Sequence, residues 1–232
     1  MRTALRAVGA LLGAVGLVTG AVAVPPASAA PTAVFACPNS EYLGPGDVET
    51  YNHYTFTNDG KGRPYRAVAP YGTLIEHTAD RDSCETTVGH YAGQGAGYDG
   101  GHMIASFLNG PSRRENLVPM QGTTLNRVSY LNFERAVGRC LEQHGSANVE
   151  YEITAAYTNS TDHRIDLTPV TVSPKLTVNF QGSQHQIQQT FPNRVLTPNE
   201  RTELLQDLDR QAAAAGCPRH GSNTAESHTP PA

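Results

Sequence analysis

A histidine that follows two glycines is the first candidate for chemistry in this chain. In Asp99-Gly100-Gly101-His102 the imidazole can lie exposed at a strand end or turn, where neutral imidazole can take a proton from water near pH 7. Further along, Asn126, Tyr130 and Glu134 have i, i+4, i+8 spacing and would project from one side of a helix. An amide oxygen and a carboxylate, with waters completing the shell, suit a hard cation such as Mg²⁺. The pattern predicts metal-assisted hydrolysis of a phosphodiester.

Arginine carries almost all of the positive charge. The 232-residue chain has a formal net charge of -4 and only two lysines, Lys61 and Lys175. Between residues 110 and 140, five arginines face only Glu115 and Glu134, which gives a local charge of +3; they are Arg113, Arg114, Arg127, Arg135 and Arg139. The planar guanidinium matches phosphate geometry. We therefore expect weak, salt-dependent binding of nucleic acid at a local patch.

The N-terminus has the three parts of a secretory signal peptide. A basic start is followed by an apolar run from Ala7 to Val24 and by Ala27-Ser28-Ala29, which predicts cleavage after Ala29. Retention of the apolar run as a membrane anchor is the less favoured alternative. Cleavage would remove two arginines and leave 15 basic residues against 21 acidic ones, a net charge of -6. We expect a secreted protein with no membrane partner.

Composition and cysteine count bound the rest of the chain. The hydrophobic content of 38% and charged content of 16% exclude a collagen, a coiled coil and a multi-span membrane protein. We expect one domain over residues 30–217 and a disordered tail over residues 218–232, which lacks an apolar pattern. The four cysteines, Cys37, Cys84, Cys140 and Cys217, predict two disulfides with three connectivities open. A zinc site at Cys140 with His144, or at Cys217 with His220, is disfavoured because no CxxC pair exists and an oxidising compartment favours disulfides.

Hydrophobic periodicity predicts both strands and helices, as in an α+β protein. Alternation predicts a hairpin with one strand over Val48 to Thr57 and the other over Pro64 to Ala69, and a half-buried strand over Val149 to Tyr157. Residues 71–98 show no sustained period and are expected to be mostly irregular. The remaining predicted elements are a helix over Leu125 to Gln143 capped by Thr123-Thr124, a second hairpin over Leu176 to Phe191, and a helix opened by a capping box at Thr197-Pro198-Asn199-Glu200 and ended at Gly216.

Three short segments resemble one known family. They are Asp99-Gly100-Gly101-His102-Met103-Ile104-Ala105, Glu115-Asn116-Leu117-Val118-Pro119-Met120, and Leu125-Asn126-Arg127 followed by Glu134. In order and spacing they are similar to the core of the DNA/RNA non-specific endonucleases, which are ββα-metal (His-Me finger) nucleases. The resemblance is strong over about residues 98–142 and weaker from Tyr51 to Ala69. It implies a ββα-metal core with a mixed or antiparallel sheet and flanking helices.

The resemblance also implies a role for each matching residue. His102 would be the general base that activates water, Asn126 the direct ligand of Mg²⁺ (with Mn²⁺ as an alternative), and Glu134 the carboxylate that holds metal-bound water. Asn116 would support the geometry of the site. Cleavage would leave 5′-phosphate ends, and both DNA and RNA would be cut because such a site grips the backbone rather than the bases. Activity is expected to fall below about pH 6 as the imidazole protonates.

One departure concerns the phosphate. Some relatives have Asp-Arg-Gly-His, in which the arginine helps to bind the scissile phosphate, whereas this chain has Gly100. The phosphate must then be clamped from elsewhere. The candidates are Arg81, Arg113, Arg114 and Arg127, and Arg127 is favoured because it adjoins Asn126.

Two other functions remain open at this level. A secreted module that keeps the nuclease fold and binds nucleic acid without cutting it would also explain Gly100. A toxin delivered to competitors would be a nuclease with a different biological role; it would be expected to need an immunity partner or a delivery domain, and we do not expect a delivery domain in this chain. We expect a monomeric enzyme that acts on DNA and RNA without reading sequence.

Overall fold

Two antiparallel sheets and four α-helices build the described part of the chain. The computed structural model describes residues 37, 41–79, 81–219 and 221. The predicted signal peptide and most of the predicted tail lie outside the described residues. No helix among the described residues is long and apolar enough to span a membrane.

The described residues contain nine strands. These are β1 (Val48–Tyr51), β2 (Tyr54–Asn58), β3 (Pro64–Ala69), β4 (Tyr98–His102), β5 (Leu117–Gln121), β6 (Val149–Ala156), β7 (Thr171–Phe180), β8 (Ser183–Gln188) and β9 (Phe191–Pro192). The larger sheet has the order β1-β2-β3-β6-β7-β8, with β9 also pairing with β7, whereas β4 and β5 form a separate two-stranded sheet. Both sheets are antiparallel, in agreement with the predicted class.

The helices are α1 (Cys84–Gly89), α2 (Leu131–His144), α3 (His163–Leu167) and α4 (Pro198–Ala214). A π-helical segment, Gly122–Tyr130, runs directly into α2. Single 3₁₀ turns cover His90–Ala92, Arg114–Asn116 and Ser146–Asn148.

The core lies between the larger sheet and α2. Alternate residues of β6 are buried, from Val149 to Ala155, as the apolar alternation predicted. The buried face of α2 packs against this sheet, and the Phe133 ring stacks on Tyr151 with centroids 6.2 Å apart. This packing fixes the direction of α2, whose other flank faces the candidate site.

Two predicted elements have different boundaries in the structure. The strand predicted over Val48 to Thr57 is broken by a turn at Asn52 and His53, which have φ values of 50° and 69°. Two adjacent residues with positive φ suit a tight hairpin, so β1 and β2 pair with each other. The irregular segment predicted over residues 71–98 contains α1 and a 3₁₀ turn.

The two long helices follow their predictions more closely. The predicted helix at Leu125 begins earlier, as the π-helical segment, because the Gln121 side chain accepts hydrogen bonds from the backbone N–H groups of Thr124 and Leu125. The predicted capping box at Thr197 and Glu200 is formed at the start of α4.

The cysteines pair as two disulfides, Cys37–Cys84 and Cys140–Cys217. The first ties the start of α1 to a residue before β1, and the second ties α2 to the chain just after α4. The structure thus has one of the three connectivities left open by the sequence, and none of the four cysteines is free to bind zinc.

Candidate active site

The smaller sheet and the helix after it form a ββα unit around a cleft. His102 is the last residue of β4 and pairs with Leu117 of β5. The chain then continues from β5 into the π-helical segment, which carries Asn126, and into α2, which carries Glu134. His102, Asn126 and Glu134 all line a cleft of about 730 Å³. Other lining residues include Arg81, Glu85, His90, Tyr98, Asp99, Gly100 and Arg127.

His102 is almost fully enclosed by the protein. Its side chain is 7% exposed, and its Nε2 has no hydrogen-bond partner among the described residues. Burial lowers the pKa of His102 from 6.5 to about 4, against the opposing effect of the Glu85 carboxylate. The imidazole therefore stays neutral at pH 6. The sequence alone predicts that activity falls below about pH 6, whereas burial moves the protonation of His102 to a lower pH.

Glu85, on α1, is the nearest carboxylate to the histidine. Its Oε1 lies 3.5 Å from His102 Nε2 and accepts a 2.7 Å hydrogen bond from the Ser112 hydroxyl. Its Oε2 accepts a 2.8 Å bond from Arg81 Nε. Burial opposes the ionisation of Glu85, but the hydrogen bonds from Arg81 and Ser112 outweigh it and lower the pKa of the carboxyl. The charged carboxylate is thus held beside the imidazole.

Asp99 holds two side chains of the π-helical segment. Its carboxylate accepts two 2.8 Å hydrogen bonds from the Arg127 guanidinium and a 3.2 Å bond from Asn126 Nδ2. A carboxylate can only accept, so the amide nitrogen of Asn126 must face Asp99. The amide oxygen of Asn126 therefore points away from Asp99 and is available to a cation.

Glu134 is a buried carboxyl group on the wall of the cleft. It is 8% exposed. Burial raises its pKa to about 8, although Arg81 and Arg135 act in the opposite direction. Tyr130, which helical spacing placed on the same side, is instead buried and donates its hydroxyl to the Met103 carbonyl at 2.7 Å.

Asn116 lies beneath the site and not in the cleft. Its fully buried side chain donates to the carbonyls of Ile104 and Pro111 and accepts a 2.8 Å bond from the Ile104 N–H. These bonds fix the loop that follows His102. Asn116 is therefore positioned to support the site geometry rather than to touch a substrate.

The four arginines proposed to bind phosphate lie in different environments. Arg81 and Arg127 line the cleft, with side chains 62% and 67% exposed. Arg113 does not line it and lies 3.5 Å from Glu115 and over the Tyr51 ring.

For Arg114 the expectation of a phosphate contact was wrong. Arg114 is 1% exposed and donates to the backbone carbonyls of Leu117 and Glu41. Its guanidinium links two chain segments in the interior and cannot reach a substrate.

The arginines that cluster in sequence do not form one patch in space. Arg114 is buried, Arg139 donates to the Pro218 carbonyl, and Arg127 is paired with Asp99. Among the described residues that line the cleft, three carboxyl groups (Glu85, Asp99 and Glu134) face two guanidinium groups (Arg81 and Arg127). The expected local charge of +3 is thus not present at the cleft.

Gly100 is required by close packing of α1 on β4. A Cβ at position 100 would overlap the backbone carbonyl of Glu85, and a Cβ at Gly89 would meet the backbone of Tyr98 and Gly100. The two glycines let the helix and the strand approach at backbone contact distance. An arginine at position 100 would displace α1, whereas the glycine allows α1 to bring Glu85 to the histidine.

Glu85 and Asp99 are the site residues that sequence reasoning missed. Asp99 belongs to the motif that contains His102, but sequence reasoning assigned no role to it. Its position directly before Gly100 was the one sequence feature that could have indicated a role in the site. Glu85 lies in a segment without periodicity. The only hints were its i, i+4 spacing from Arg81 and the glycine at position 89.

The described residues do not bring together three or more His, Cys, Asp or Glu side chains that could hold a metal ion. A protein ligand set of one amide oxygen and one nearby carboxyl still suits Mg²⁺, which keeps several waters and is completed by substrate phosphate. The available oxygen of Asn126 and the buried carboxyl of Glu134, whose raised pKa a neighbouring cation would lower, fit such an ion.

The fold and the site together define the class of the protein. An antiparallel strand pair followed directly by a helix, with a histidine on the first strand, is consistent with a ββα-metal nuclease core. Residues 46–186 match the sequence profile of the family described as DNA/RNA non-specific endonuclease. The chain therefore belongs to this family of nucleases. No curated protein sequence matches the chain significantly.

Proposed function

We propose that the protein is a secreted, sugar-non-specific endonuclease that hydrolyses phosphodiester bonds of DNA and RNA. In this proposal it uses a divalent cation at Asn126 and His102 as general base, and it leaves 5′-phosphate ends. The observation that carries the proposal is the convergence of a neutral histidine, an available amide oxygen and a buried carboxyl group on one cleft.

The surroundings of His102 suit a group that takes a proton from water. The carboxylate of Glu85 lies 3.5 Å from Nε2 and favours the tautomer with its proton on that nitrogen. Nδ1 then carries the lone pair that accepts the proton, while the water oxygen attacks phosphorus and the bond to the 3′ oxygen breaks. Glu85 stabilises the imidazolium that forms, as a carboxylate beside a histidine base does in hydrolases.

The charge balance of the cleft supports a requirement for a cation. Carboxyl groups outnumber guanidinium groups among the lining residues, so a phosphodiester would enter a site with little net attraction. Asn126 would hold the ion directly, and Glu134 would hold its water. A bound Mg²⁺ or Mn²⁺ would neutralise charge on the phosphate oxygens and on the departing 3′ oxygen.

The phosphate clamp is assigned to Arg81 and Arg127. Both line the cleft, and both are already oriented by carboxylates, Glu85 and Asp99 respectively. Guanidinium groups held in this way can contact the phosphates while remaining paired. Backbone recognition of this kind is independent of the base and the sugar, which supports activity on both DNA and RNA.

The sequence and the cysteines support a location outside the cell. The signal-peptide pattern of residues 1–29 predicts export, and two disulfides suit an oxidising compartment. We propose that the mature protein acts outside the cell as a monomer.

Cleavage of supercoiled plasmid and of total RNA by the mature protein tests the proposal. We expect cutting with Mg²⁺, none with EDTA, and loss of at least about 100-fold in His102→Ala. His77→Ala is the matched control, because His77 is exposed and does not line the cleft. Wild-type cleavage by His102→Ala would overturn the assignment of the base. Binding of nucleic acid without any cleavage would favour the alternative, a catalytically inactive binding module.

A further inference from the structure

A second groove, which we call the side groove, lies beside the catalytic cleft. It has a volume of about 400 Å³ and is lined by residues that include Tyr98, Arg164, Ile165, Val170 and Arg194. These residues come from β4, from α3 and the loop after it, and from the loop after β9. None of them except Tyr98 lines the catalytic cleft.

Tyr98 connects the two depressions. This residue lines both the catalytic cleft and the side groove, and its hydroxyl donates to the Asn193 carbonyl at 3.1 Å. Asn193 is buried, donates to the carbonyls of Pro119 and Pro169, and accepts a 2.8 Å bond from the Gln121 N–H. The floor of the side groove is therefore tied to β5 just before the segment that carries Asn126.

The side groove is cationic. Arg164 makes no ion pair with any described residue. Arg194 pairs with Glu200, and its side chain remains 55% exposed. No carboxylate is among the described residues that line the groove. This balance is the opposite of that in the catalytic cleft, and it suits a polyanion.

The side groove also exposes apolar surface between its arginines. Ile165 is 51% exposed and Val170 is 44% exposed, and both are among the few large hydrophobic side chains of the described residues that remain exposed. Apolar groups next to guanidinium groups match a nucleic-acid strand, in which sugars and base faces alternate with phosphates.

We propose that the side groove binds the DNA or RNA strand that flanks the nucleotide being cut. Arg164 and Arg194 contact phosphates beyond Tyr98, and Ile165 and Val170 contact the sugars or bases between them. This inference rests on the proposed nuclease function. It explains how a cleft in which carboxyl groups outnumber guanidinium groups retains a long substrate.

Substitution of Arg164 is the direct test. Binding of a fluorescent 20-nucleotide DNA is measured in His102→Ala protein, so that the probe stays intact. Adding Arg164→Ala should weaken binding about three- to tenfold and reduce the slope of log K against log salt by about one. Ile165→Ser should weaken binding while leaving the salt slope unchanged, because it removes an apolar contact.

A minimal substrate separates the side groove from the catalytic cleft. Arg164→Ala in the otherwise native enzyme should lower kcat/KM on plasmid about three- to tenfold. It should leave the hydrolysis of a nitrophenyl phosphodiester of a single nucleotide unchanged, since that substrate does not reach past Tyr98. Arg210→Ala is the matched control, because Arg210 is an exposed arginine on α4 outside the side groove.

The outcomes separate the two proposals. If the wild-type enzyme cuts plasmid while Arg164→Ala binds and cuts like Arg210→Ala, the side-groove proposal fails alone. If the wild-type protein binds DNA but never cuts it, and Arg164→Ala weakens that binding, the nuclease function fails and the side groove stands. If Arg164→Ala lowers activity equally on plasmid and on the minimal substrate, the side-groove proposal also fails.

Discussion

The carboxylate of Glu85 lies 3.5 Å from Nε2 of His102, although the two residues are on different elements, α1 and β4. The approach depends on backbone contact between Gly89, Gly100 and their neighbours. Glu85 is itself held by Arg81 and Ser112. The histidine thus has an oriented carboxylate partner, and that partner opposes the effect of burial on the imidazole pKa.

Glu85→Gln should separate this partnership from simple packing, because the two side chains have nearly the same shape. Without the carboxylate, the forming imidazolium loses its stabilisation, and we expect kcat to fall about 10- to 100-fold. The sign of the pH effect is also fixed. Burial lowers the pKa of His102 to about 4 and Glu85 raises it, so the variant should lose activity at a lower pH than the wild type. The pH profile of kcat measures both effects.

Glu142→Gln, an exposed glutamate on α2, is the matched control and should leave the profile unchanged. Glu85→Asp should restore part of the activity because it keeps the charge. A Glu85→Gln enzyme with a wild-type pH profile would show that the carboxylate does not act through the imidazole.

Asp99 should control the affinity for the cation, because its carboxylate orients the Asn126 amide. Asp99→Ala leaves Asn126 free to rotate, and loss of such an outer contact costs about 10- to 100-fold in metal affinity or activity. A Mg²⁺ titration of plasmid cleavage measures the change. Arg127→Ala removes the other partner of Asp99 but keeps its bond to Asn126. It should raise KM for DNA at an unchanged Mg²⁺ requirement, and a shift of equal size in both variants would contradict this assignment.

Gly100 should not tolerate even a methyl group. A Cβ there would overlap the backbone of Glu85, so Gly100→Ala must push α1 away from β4. We expect a loss of about 1–3 kcal/mol in the free energy of unfolding, as for other overpacked sites. Urea denaturation measures it. Gly60→Ala is the control, since a Cβ at Gly60 meets nothing within 4 Å. Equal stability of the two variants would show that α1 adapts to position 100 without strain.

The part of the site that lies in one continuous segment could be predicted from the sequence. His102, Asn126 and Glu134 belong to one strand pair and the helix after it, so their order along the chain largely determines their positions. The same locality explains the correct prediction of the capping box at Thr197, whose hydrogen bonds span three residues. Where residues lie close together along the chain, local backbone geometry allows few arrangements of their side chains.

The carboxylate that reaches the site from outside this segment could not be predicted. Glu85 arrives because two glycines allow a short helix to pack closely on β4, which no periodicity reveals. Arg114 was misjudged for a related reason. Its charge predicted exposure, but in the interior it donates to the carbonyls of Leu117 and Glu41. Tertiary contacts of this kind depend on the whole fold.

A buried ionic cluster around Asp166 joins α3 to the loop between β2 and β3. The carboxylate accepts hydrogen bonds from Tyr42, from Lys61 at 2.8 Å, from Arg63 at 3.1 Å and from the Ser160 N–H. The Asp166 side chain is 5% exposed. Burial opposes its ionisation, but these donors outweigh that effect and lower the pKa of Asp166 to about 2.

This cluster should make the stability of the protein depend on acid. Because the pKa of Asp166 is lower in the folded chain than in the unfolded one, its contribution is complete above about pH 4 and is lost as the pH falls towards 2. Asp166→Asn should cost about 2 kcal/mol at pH 7, since Lys61 loses its charged partner and Arg63 keeps only Asp59 as a carboxylate partner. The difference from the wild type should shrink below pH 4.

Urea denaturation at pH 7, 5 and 3 measures the difference in the free energy of unfolding between the Asp166→Asn variant and the wild type. Glu49→Gln is the control, because Glu49 is exposed. A difference that stays constant from pH 7 to pH 3 would mean that the charge of Asp166 contributes nothing to stability.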